Sequence, residues 1–207
     1  IYHVAGLLTF PDAAILYRKD RFELLDSDQF WLGVLPCHIS LPGWKTGMLR
    51  CVNWAKLRER DTGFEFLFVC THFDAEQINR RQSAHVVTEW LAPVAGDLPM
   101  IMVGDFNAKG DTEAYATLQG GNGAPMRFEN TFDYAQSRTI AHNNQPDVDI
   151  AEDDNYLSVP GKIDHIFFAG PVEVEVTSWV DDHWVYGENE RPVSDHYAVS
   201  ATMTVEK

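Results

Sequence analysis

The sequence predicts an α/β fold in which two mixed β-sheets pack face to face, with helices on their outer sides. Short apolar runs recur along the chain, and residues 50–57 alternate between two faces, a pattern that is typical of strands. The polar segment at residues 58–63 joins two of these runs as a hairpin turn. Helical segments alternate with other strands, and antiparallel hairpins together with that alternation indicate mixed sheets.

In the N-terminal half the apolar runs predict five strands. The first three form a meander of short strands, with a polar break at residues 26–28 between the second and the third. The last two flank the hairpin turn. The five strands are expected at residues 13–17, 21–25, 30–34, 50–57 and 64–71.

A long helix is predicted after the fifth strand. Asp74 with Gln77 resembles a capping box that opens it, and the helix is expected to end near Pro93. Its spacing predicts an inward stripe of Ala84, Val87 and Leu91, joined by Trp90.

The C-terminal half begins with a buried strand at residues 100–103. Asp111 is then expected to cap a short helix over residues 112–118, and residues 133–160 are expected to form a long polar loop. Three further strands are predicted at residues 163–168, 172–180 and 197–205.

Composition and charge limit the classes of function. The chain has 207 residues, 45% of them hydrophobic, and is expected to form one domain over residues 1–207 and to be a monomer. No apolar run approaches the roughly 18 residues that span a bilayer. A net charge of −15 disfavours a large nucleic-acid surface, which needs a basic face, although a local basic patch could still bind a polyanion.

Four predicted strands carry titratable residues at one end, which a packed core does not require. Asp105 and Asn107 follow an apolar run at a spacing of two, so on an extended chain their side chains point the same way. His72 ends one strand, Asp164 begins another, and Asp195 with His196 precedes the last. Carboxylate and amide oxygens suit Mg²⁺ or Mn²⁺, and a histidine beside such a cation suits proton transfer.

The segments THFD (71–74), GDFNA (104–108), IDHIF (163–167) and SDH (194–196), in this order, resemble the endonuclease/exonuclease/phosphatase superfamily. That superfamily of metal-dependent phosphoesterases includes DNase I-like nucleases, inositol polyphosphate phosphatases, neutral sphingomyelinases and deadenylases. The resemblance extends from about Ala14 to the C-terminus. It implies the DNase I-like fold, a four-layer α/β/β/α sandwich.

The resemblance also implies a role for each polar strand end. Asp105 orients the attacking water or binds metal, and Asn107 positions the phosphate or the water. Asp195 binds metal and His196 activates water. Asp164 hydrogen-bonds an active-site histidine and fixes its tautomer.

Two basic side chains are implied to contact the substrate. His72 donates to a phosphate oxygen as the new bond forms. Arg50 occupies the position of an arginine that pairs with phosphate, and an ordinary surface ion pair is an equally open interpretation. His165 is expected to be structural, because it points to the opposite face of the strand from Asp164.

The resemblance further implies Mg²⁺ or Mn²⁺ held by Asp195, Asp105 and Asn107, together with a glutamate on an upstream strand. Neither Glu23 nor Glu65 matches that glutamate, so the chain is expected to lack the first strands and helix of its domain. Asp181, Asp182 and His183 are not expected to bind a metal, because adjacent residues on a loop rarely converge on one ion.

The sequence thus predicts a divalent-metal-dependent hydrolase of phosphate esters, either monoesters or diesters, that acts by in-line attack of an activated water. The expected substrate is a phosphorylated small molecule or lipid headgroup. A nuclease acting on DNA or RNA is the first alternative. The second is a catalytically impaired module that binds a phosphorylated ligand. The compartment is left open, cytoplasmic or secreted.

Overall fold

The computed structural model forms two compact units and describes residues 4–5, 8–9, 12–39, 41–151 and 155–206. The first unit consists of Ile1–Glu129 and Leu157–Pro171, and the second consists of Asn130–Tyr156 and Val172–Lys207. A single domain over the whole chain stays a prediction. Among the described helices, none combines the length and apolar character that crossing a membrane requires.

The described strands and helices follow one another in a mixed order. The strands are β1 (Val4–Ala5), β2 (Leu8–Thr9), β3 (Phe22–Trp31), β4 (Cys51–Glu59), β5 (Glu65–His72), β6 (Met100–Asp105), β7 (Glu129–Asn130), β8 (Arg138–Ala141), β9 (Val148–Asp149), β10 (Asp164–Ala169), β11 (Glu173–Asp182) and β12 (Ala198–Glu206). The helices are α1 (Gln77–Ala95), α2 (Glu113–Leu118), α3 (Thr131–Tyr134) and a 3₁₀ helix at Tyr156–Ser158.

The first unit contains a six-stranded mixed sheet with the order β3-β4-β5-β6-β10-β7. Strands β5 and β6 run parallel and are connected through α1, whereas β3, β4 and β5 form an antiparallel meander and β10 pairs antiparallel with β6. The end of β5, the end of β6 and the start of β10 therefore lie next to one another at the same end of the strands.

Buried apolar side chains hold this sheet in place. One cluster consists of Ile15, Ala55, Leu57 and Phe66. Helix α1 buries Ala84, Val87 and Leu91 as predicted, because the three share one helical face. Trp90 is not part of the buried stripe: it is 37% exposed, and its ring lies 5.7 Å from that of Phe30.

The beginning of the sheet differs from the prediction. Residues 14–18 form no strand, although Ile15 is buried, and the two strands predicted at 21–25 and 30–34 are the single strand β3. Because β3 is at the edge of its sheet, the polar residues 26–28 can face solvent without interrupting it. A register shift between Leu24 and Asp26 accommodates the irregularity.

The second unit contains a four-stranded mixed sheet with the order β12-β11-β8-β9. Trp179 on β11 is 1% exposed and packs edge-on against Phe132 and Tyr156. The polar loop predicted for residues 133–160 is wrong in part. That segment contains β8, β9 and the 3₁₀ helix. Strand β8 was missed because it pairs in parallel with β11, a distant contact that a local pattern does not reveal.

Candidate functional site

Three of the predicted residues lie side by side on neighbouring strands of the first unit. His72 at the end of β5 pairs in register with Asp105 at the end of β6, and Asp105 pairs with Asp164 at the start of β10. His72 Nε2 lies 3.2 Å from Asp105 Oδ2. Carboxylate oxygens of Asp105 and Asp164 lie within 4.8 Å of each other.

Asp12 joins this group and was missed by the sequence analysis. One of its carboxylate oxygens lies 2.9 Å from His72 Nδ1, and the other accepts a hydrogen bond from Arg50 Nη1 at 3.0 Å. The side chains of Asp12 and Arg50 are 20% and 16% exposed, so solvent screens this pair less than it screens a surface ion pair. Asp12 therefore holds the imidazole and the guanidinium together.

A buried amide fixes the segment that carries Asp12. Asn53 on β4 is fully buried, and its Nδ2 donates to the carbonyl oxygens of both Asp12 and Ala13 at 3.1 Å. Ala13 adopts a φ of 55°, which turns the chain sharply after Asp12. In sequence, Asp12 is a lone acid before an apolar run, and its partners are 38 and 60 residues away. No short motif could have found it.

The two carboxylates beside His72 determine its protonation. Hydrogen bonds to Asp105 and Asp12 raise the pKa of His72 to about 9, so at neutral pH both ring nitrogens carry protons. Burial raises the pKa of Asp12, but its hydrogen bonds and ion pairs with His72 and Arg50 outweigh burial and lower it. The 2.9 Å approach of Arg50 Nη1 to His72 Nδ1 is thus a contact of two donors that share one carboxylate.

Backbone geometry explains the GDFN segment. Gly104 has a φ of 148°, and a Cβ there would lie 1.9 Å from the carbonyl oxygen of Thr71, so only glycine lets β6 approach β5 this closely. Asp105 Oδ1 accepts a hydrogen bond from the backbone N–H of Asn107 at 2.7 Å. Asn107 has a φ of 47°, so the predicted extended geometry is wrong, and a tight turn brings the two side chains together instead.

Asn107 is also hydrogen-bonded to the residue that directly follows β5. Its Nδ2 donates to the carbonyl oxygen of Phe73 at 2.9 Å. The aromatic rings of Phe73 and Phe106 pack edge to face beneath this turn, with centroids 5.1 Å apart. Asp105 and Asn107 are thereby held in place before any ligand binds.

Asp74 anchors the loop that leads to Arg50, rather than capping α1 as predicted. It is 4% exposed and accepts hydrogen bonds from the backbone N–H groups of Met48 at 2.7 Å and Glu76 at 2.8 Å. The N-cap residue of α1 is Glu76, whose side chain makes no capping bond. In α2 the cap is Thr112 rather than Asp111, since the Thr112 side chain accepts from the Tyr115 N–H.

His165 has a structural setting, as predicted. It is 1% exposed, and its Nε2 lies 2.7 Å from the carbonyl oxygen of Ala108. Burial lowers the pKa of His165 to about 4, so the ring is neutral at physiological pH. It packs beside Phe106, Tyr115 and Phe167.

The comparison with known families decides the identity of this arrangement. The family described as endonuclease/exonuclease/phosphatase matches residues 14–196. The chain belongs to this family. Members of the endonuclease/exonuclease/phosphatase family are typically hydrolases of phosphate esters and typically depend on a divalent metal.

Solved structures of the family confirm the predicted α/β, DNase I-like fold class. An endonuclease/exonuclease/phosphatase from Bacteroides vulgatus is 31% identical, with a TM-score of 0.70 over 92% of this chain and 69% of that one. A mannosyl-6-phosphatase from Bacteroides thetaiotaomicron is 26% identical, with a TM-score of 0.70 over 91% of this chain and 69% of that one.

A curated relative matches a shorter region. Nocturnin from Drosophila melanogaster is 30% identical over 116 residues, which are 53% of this chain and 17% of that protein. The chain therefore spans about a sixth of that relative's length.

The end of β6 and the start of β10 carry side chains of the kind that bind the divalent metal typical of this family. The two carboxylates of Asp105 and Asp164 lie within 4.8 Å of each other, and like charges so close are stabilised by a cation. Carboxylate oxygens are hard ligands that suit Mg²⁺ or Mn²⁺. The side chain of Asn107, whose Nδ2 lies 3.4 Å from Asp105 Oδ2, also carries an oxygen of this hard type. The residues of the first unit thus fit a divalent metal.

Asp195 and His196 belong to the second unit and directly precede β12. The hydroxyl of Ser194 accepts from the His196 N–H at 3.2 Å and donates to Asp195 Oδ1 at 3.3 Å. Asp195 is exposed and His196 is half-buried. Their predicted roles as metal ligand and proton acceptor, and that of Asp164 in orienting a histidine, stay predictions.

Proposed function

We propose that the protein hydrolyses phosphate esters with the help of Mg²⁺ or Mn²⁺, by in-line attack of an activated water. The main support is the pair of cationic donors, His72 and Arg50, which share the Asp12 carboxylate beside Asp105. A half-buried pair of cationic donors has little structural purpose where strands end. It suits an anion whose charge increases during the reaction.

His72 and Arg50 act on the phosphoryl group. The imidazolium donates one of its protons to an equatorial oxygen, and the guanidinium donates from its remaining N–H groups. Arg50 Nε is buried without a hydrogen-bond partner among the described residues, so the guanidinium keeps donor capacity. When substrate binds, Asp12 keeps both groups in place while His72 exchanges Asp105 for phosphate.

Asp105 and His196 act on the water. Asp105 accepts a hydrogen bond from the water and aligns it opposite the leaving oxygen, and His196 takes the proton. Asp164 orients His196, and Asn107 positions the phosphoryl group. Asp195, with Asp105 or Asn107, would hold the divalent metal, which would supply the positive charge that polarises a phosphoryl oxygen.

A small phosphorylated molecule is the substrate class that we favour. The neighbour named mannosyl-6-phosphatase, 26% identical, supports a phosphomonoester. The net charge of −15 opposes binding of a polyanion such as DNA or RNA, whose affinity depends mainly on basic phosphate contacts.

Release of product from a phosphomonoester and a phosphodiester reporter, with Mg²⁺, Mn²⁺ or EDTA, tests the proposal. Turnover should require metal and should fall by about 10²–10⁴-fold in Asp105→Ala, Asp195→Ala and His196→Ala. Asp111→Ala, which removes an exposed carboxylate on a neighbouring loop, is the matched control and should keep full activity.

Near-native turnover in any two of the three variants would contradict the mechanism. A well-folded protein that binds Mn²⁺ but hydrolyses neither reporter would favour the binding module. Cleavage of an oligonucleotide in preference to both reporters would favour the nuclease.

A further inference from the structure

The second unit has a groove whose aromatic walls have no assigned part in the reaction chemistry. Its volume is about 260 Å³, and its walls include Asp182, Trp184, Tyr186, Val193, His196 and Tyr197. Three large aromatic side chains are exposed there, Trp184 at 46%, Tyr186 at 50% and Tyr197 at 39%. We call it the aromatic groove. Exposed aromatic rings gathered around one cavity are typical of a ligand site rather than of an ordinary surface.

Hydrogen bonds hold one wall of the aromatic groove in shape. The side chain of Asn143 donates to the carbonyl oxygen of Val185 at 2.7 Å and accepts from its N–H at 3.1 Å. Tyr186 and Arg191 exchange two backbone hydrogen bonds, at 2.9 and 3.1 Å. The loop that presents Trp184 and Tyr186 is thus fixed at its base and across its turn.

Tyr197, a third aromatic residue of the groove, is supported by His183. The ring of His183 stacks on that of Tyr197, with centroids 3.9 Å apart and planes 15° apart. His183 Nε2 lies 3.2 Å from Asp181 Oδ1, and the buried Asp181 carboxylate accepts from the Tyr156 hydroxyl. Asp181 and His183 therefore support Tyr197, while Asp182, one residue on along the strand, faces the groove. The groove exists before any ligand binds.

The chemistry of the walls indicates a neutral, hydroxyl-rich occupant. None of the described residues that line the groove is lysine or arginine, so the groove offers a phosphate group no permanently charged cation. The Asp182 carboxylate accepts hydrogen bonds and cannot donate when ionised. Aromatic faces carry negative charge and attract the weakly positive C–H face of a sugar ring. Glu188 and Glu190 on the same loop add negative charge that repels a polyanion.

The volume of the groove limits the size of the ligand that it can hold. Pockets for drug-sized ligands are about 300–1,000 Å³, and this groove lies just below that range. It accommodates one ring with its hydroxyl groups. A lipid chain or several nucleotides would extend well beyond it.

We propose that the aromatic groove binds the sugar ring of a phosphorylated hexose, so that the substrate is a sugar phosphate. The inference rests on the proposed function, because His196, at the edge of the groove, is the residue assigned to proton transfer. The ring lies between the aromatic side chains and donates hydroxyl protons to Asp182. Its phosphate extends past His196.

Binding of a phosphate-free sugar tests the groove independently of catalysis. In ligand-observed NMR, methyl glucoside or methyl mannoside at millimolar concentration should receive saturation from the wild-type protein. Trp184→Ala should abolish most of that transfer, whereas Tyr134→Ala, which removes an exposed tyrosine of α3 outside the groove, should preserve it. Absence of transfer to both glycosides in the wild-type protein would overturn the proposal.

Kinetics with matched esters test the link to the substrate. Trp184→Ala should raise the KM for a hexose 6-phosphate about tenfold, the loss of one aromatic contact, and should leave kcat nearly unchanged. The KM for glycerol 3-phosphate, which has no ring, should stay within about twofold. Equal effects on both esters, or a Trp184-dependent preference for a nucleoside 5′-phosphate, would overturn the sugar assignment.

The two proposals fail in different ways. Glycoside binding that depends on Trp184, without hydrolysis of any ester, would refute the proposed function and support the groove. The opposite outcome is equal hydrolysis of glycerol 3-phosphate and hexose 6-phosphate without glycoside binding. It would refute the assignment of the groove as a sugar site and support the proposed function.

Discussion

The charged strand ends of the first unit and the aromatic groove of the second are built in contrasting ways. His72 and Arg50 owe their positions to ionic hydrogen bonds with Asp12, on a segment that a buried asparagine secures. Trp184 and Tyr186 owe theirs to neutral amide and backbone hydrogen bonds that fix the loop. Charge placement determines the reaction at the first, whereas loop shape determines the fit of a ligand at the second. Substitutions of Asp12, His72 or Arg50 should therefore affect turnover, whereas substitutions of Trp184 or Tyr186 should affect affinity.

The largest expected effect is on turnover, from Asp12→Ala. Without the shared carboxylate, His72 and Arg50 repel each other, so kcat/KM should fall at least about 100-fold. Since Asp12 helps to raise the pKa of His72 to about 9, activity that needs the imidazolium should be lost above pH 9 in the wild-type protein and at lower pH in the variant. A pH–rate profile measures both effects.

The control for Asp12→Ala is Asp20→Ala, which removes an exposed acid paired with Arg18. Asp20→Ala should leave kcat/KM unchanged, together with the pH at which activity falls on the alkaline side of the pH–rate profile. An Asp12→Ala profile that overlays the wild-type profile would show that Asp12 does not position His72.

The next largest effect is on stability, from Gly104→Ala. The new Cβ would collide with the Thr71 carbonyl oxygen, so β5 and β6 must separate, at a cost of roughly 3 kcal/mol of unfolding free energy. Gly63→Ala is the matched control, because Gly63 also has a positive φ, 73°, but no atom lies within 4 Å of its added Cβ. It should cost only the conformational strain, about 1–2 kcal/mol. Equal losses in urea unfolding of the two variants would contradict the close strand approach.

A smaller effect on stability is expected from the protonation of His165 at low pH. Its pKa is about 4 when folded and about 6.5 when unfolded, so the unfolded chain binds the extra proton between these values. The contribution of His165 to the free energy of unfolding is therefore fully present above pH 6.5 and is lost as pH falls towards 4. Between pH 7.5 and 5.0 the loss should be roughly 2 kcal/mol in urea unfolding. His165→Gln should show a shallower pH dependence over this window, and an unchanged slope would refute the assignment.

The smallest effect is expected in the aromatic groove, from Asn143→Ala. Loss of two neutral hydrogen bonds loosens the loop and should weaken glycoside binding about threefold to tenfold, with kcat unchanged. Asn122→Ala, which removes a side chain that bonds Thr117 in the first unit, is the control and should keep wild-type affinity. A large fall in kcat for Asn143→Ala would mean that the two regions are not separable as described.

Short-range patterns predicted the strand ends well because apolar runs and the residues that follow them are local features. His72, Asp105 and Asp164 were expected at strand ends, and the structure places them in register across three strands. The fold class was predicted from the same runs, with the family resemblance supplying the DNase I-like architecture.

Features that depend on distant partners were missed or wrong. Asp12 acts through Arg50 and His72, far along the chain, and Asp74 serves a loop rather than the helix that it precedes. Residues 14–18 have the apolar composition of a strand but bury Ile15 without joining the sheet. Trp184 and Tyr186 gave no signal, because isolated aromatic residues in a polar segment do not reveal the loop that gathers them.

The edge strand β3 has a consequence for self-association. An exposed edge offers backbone N–H and C=O groups to a strand from another molecule, which leads to aggregation. In β3, the carboxylates of Asp26 and Asp28 accept from the N–H groups of Ser27 and Gln29, at 2.8 and 2.7 Å. These two donors are thereby occupied, and each carries a negative charge beside it. The polar residues 26–28, which interrupt the apolar pattern of β3, thus oppose the pairing of this edge strand with a strand of another molecule.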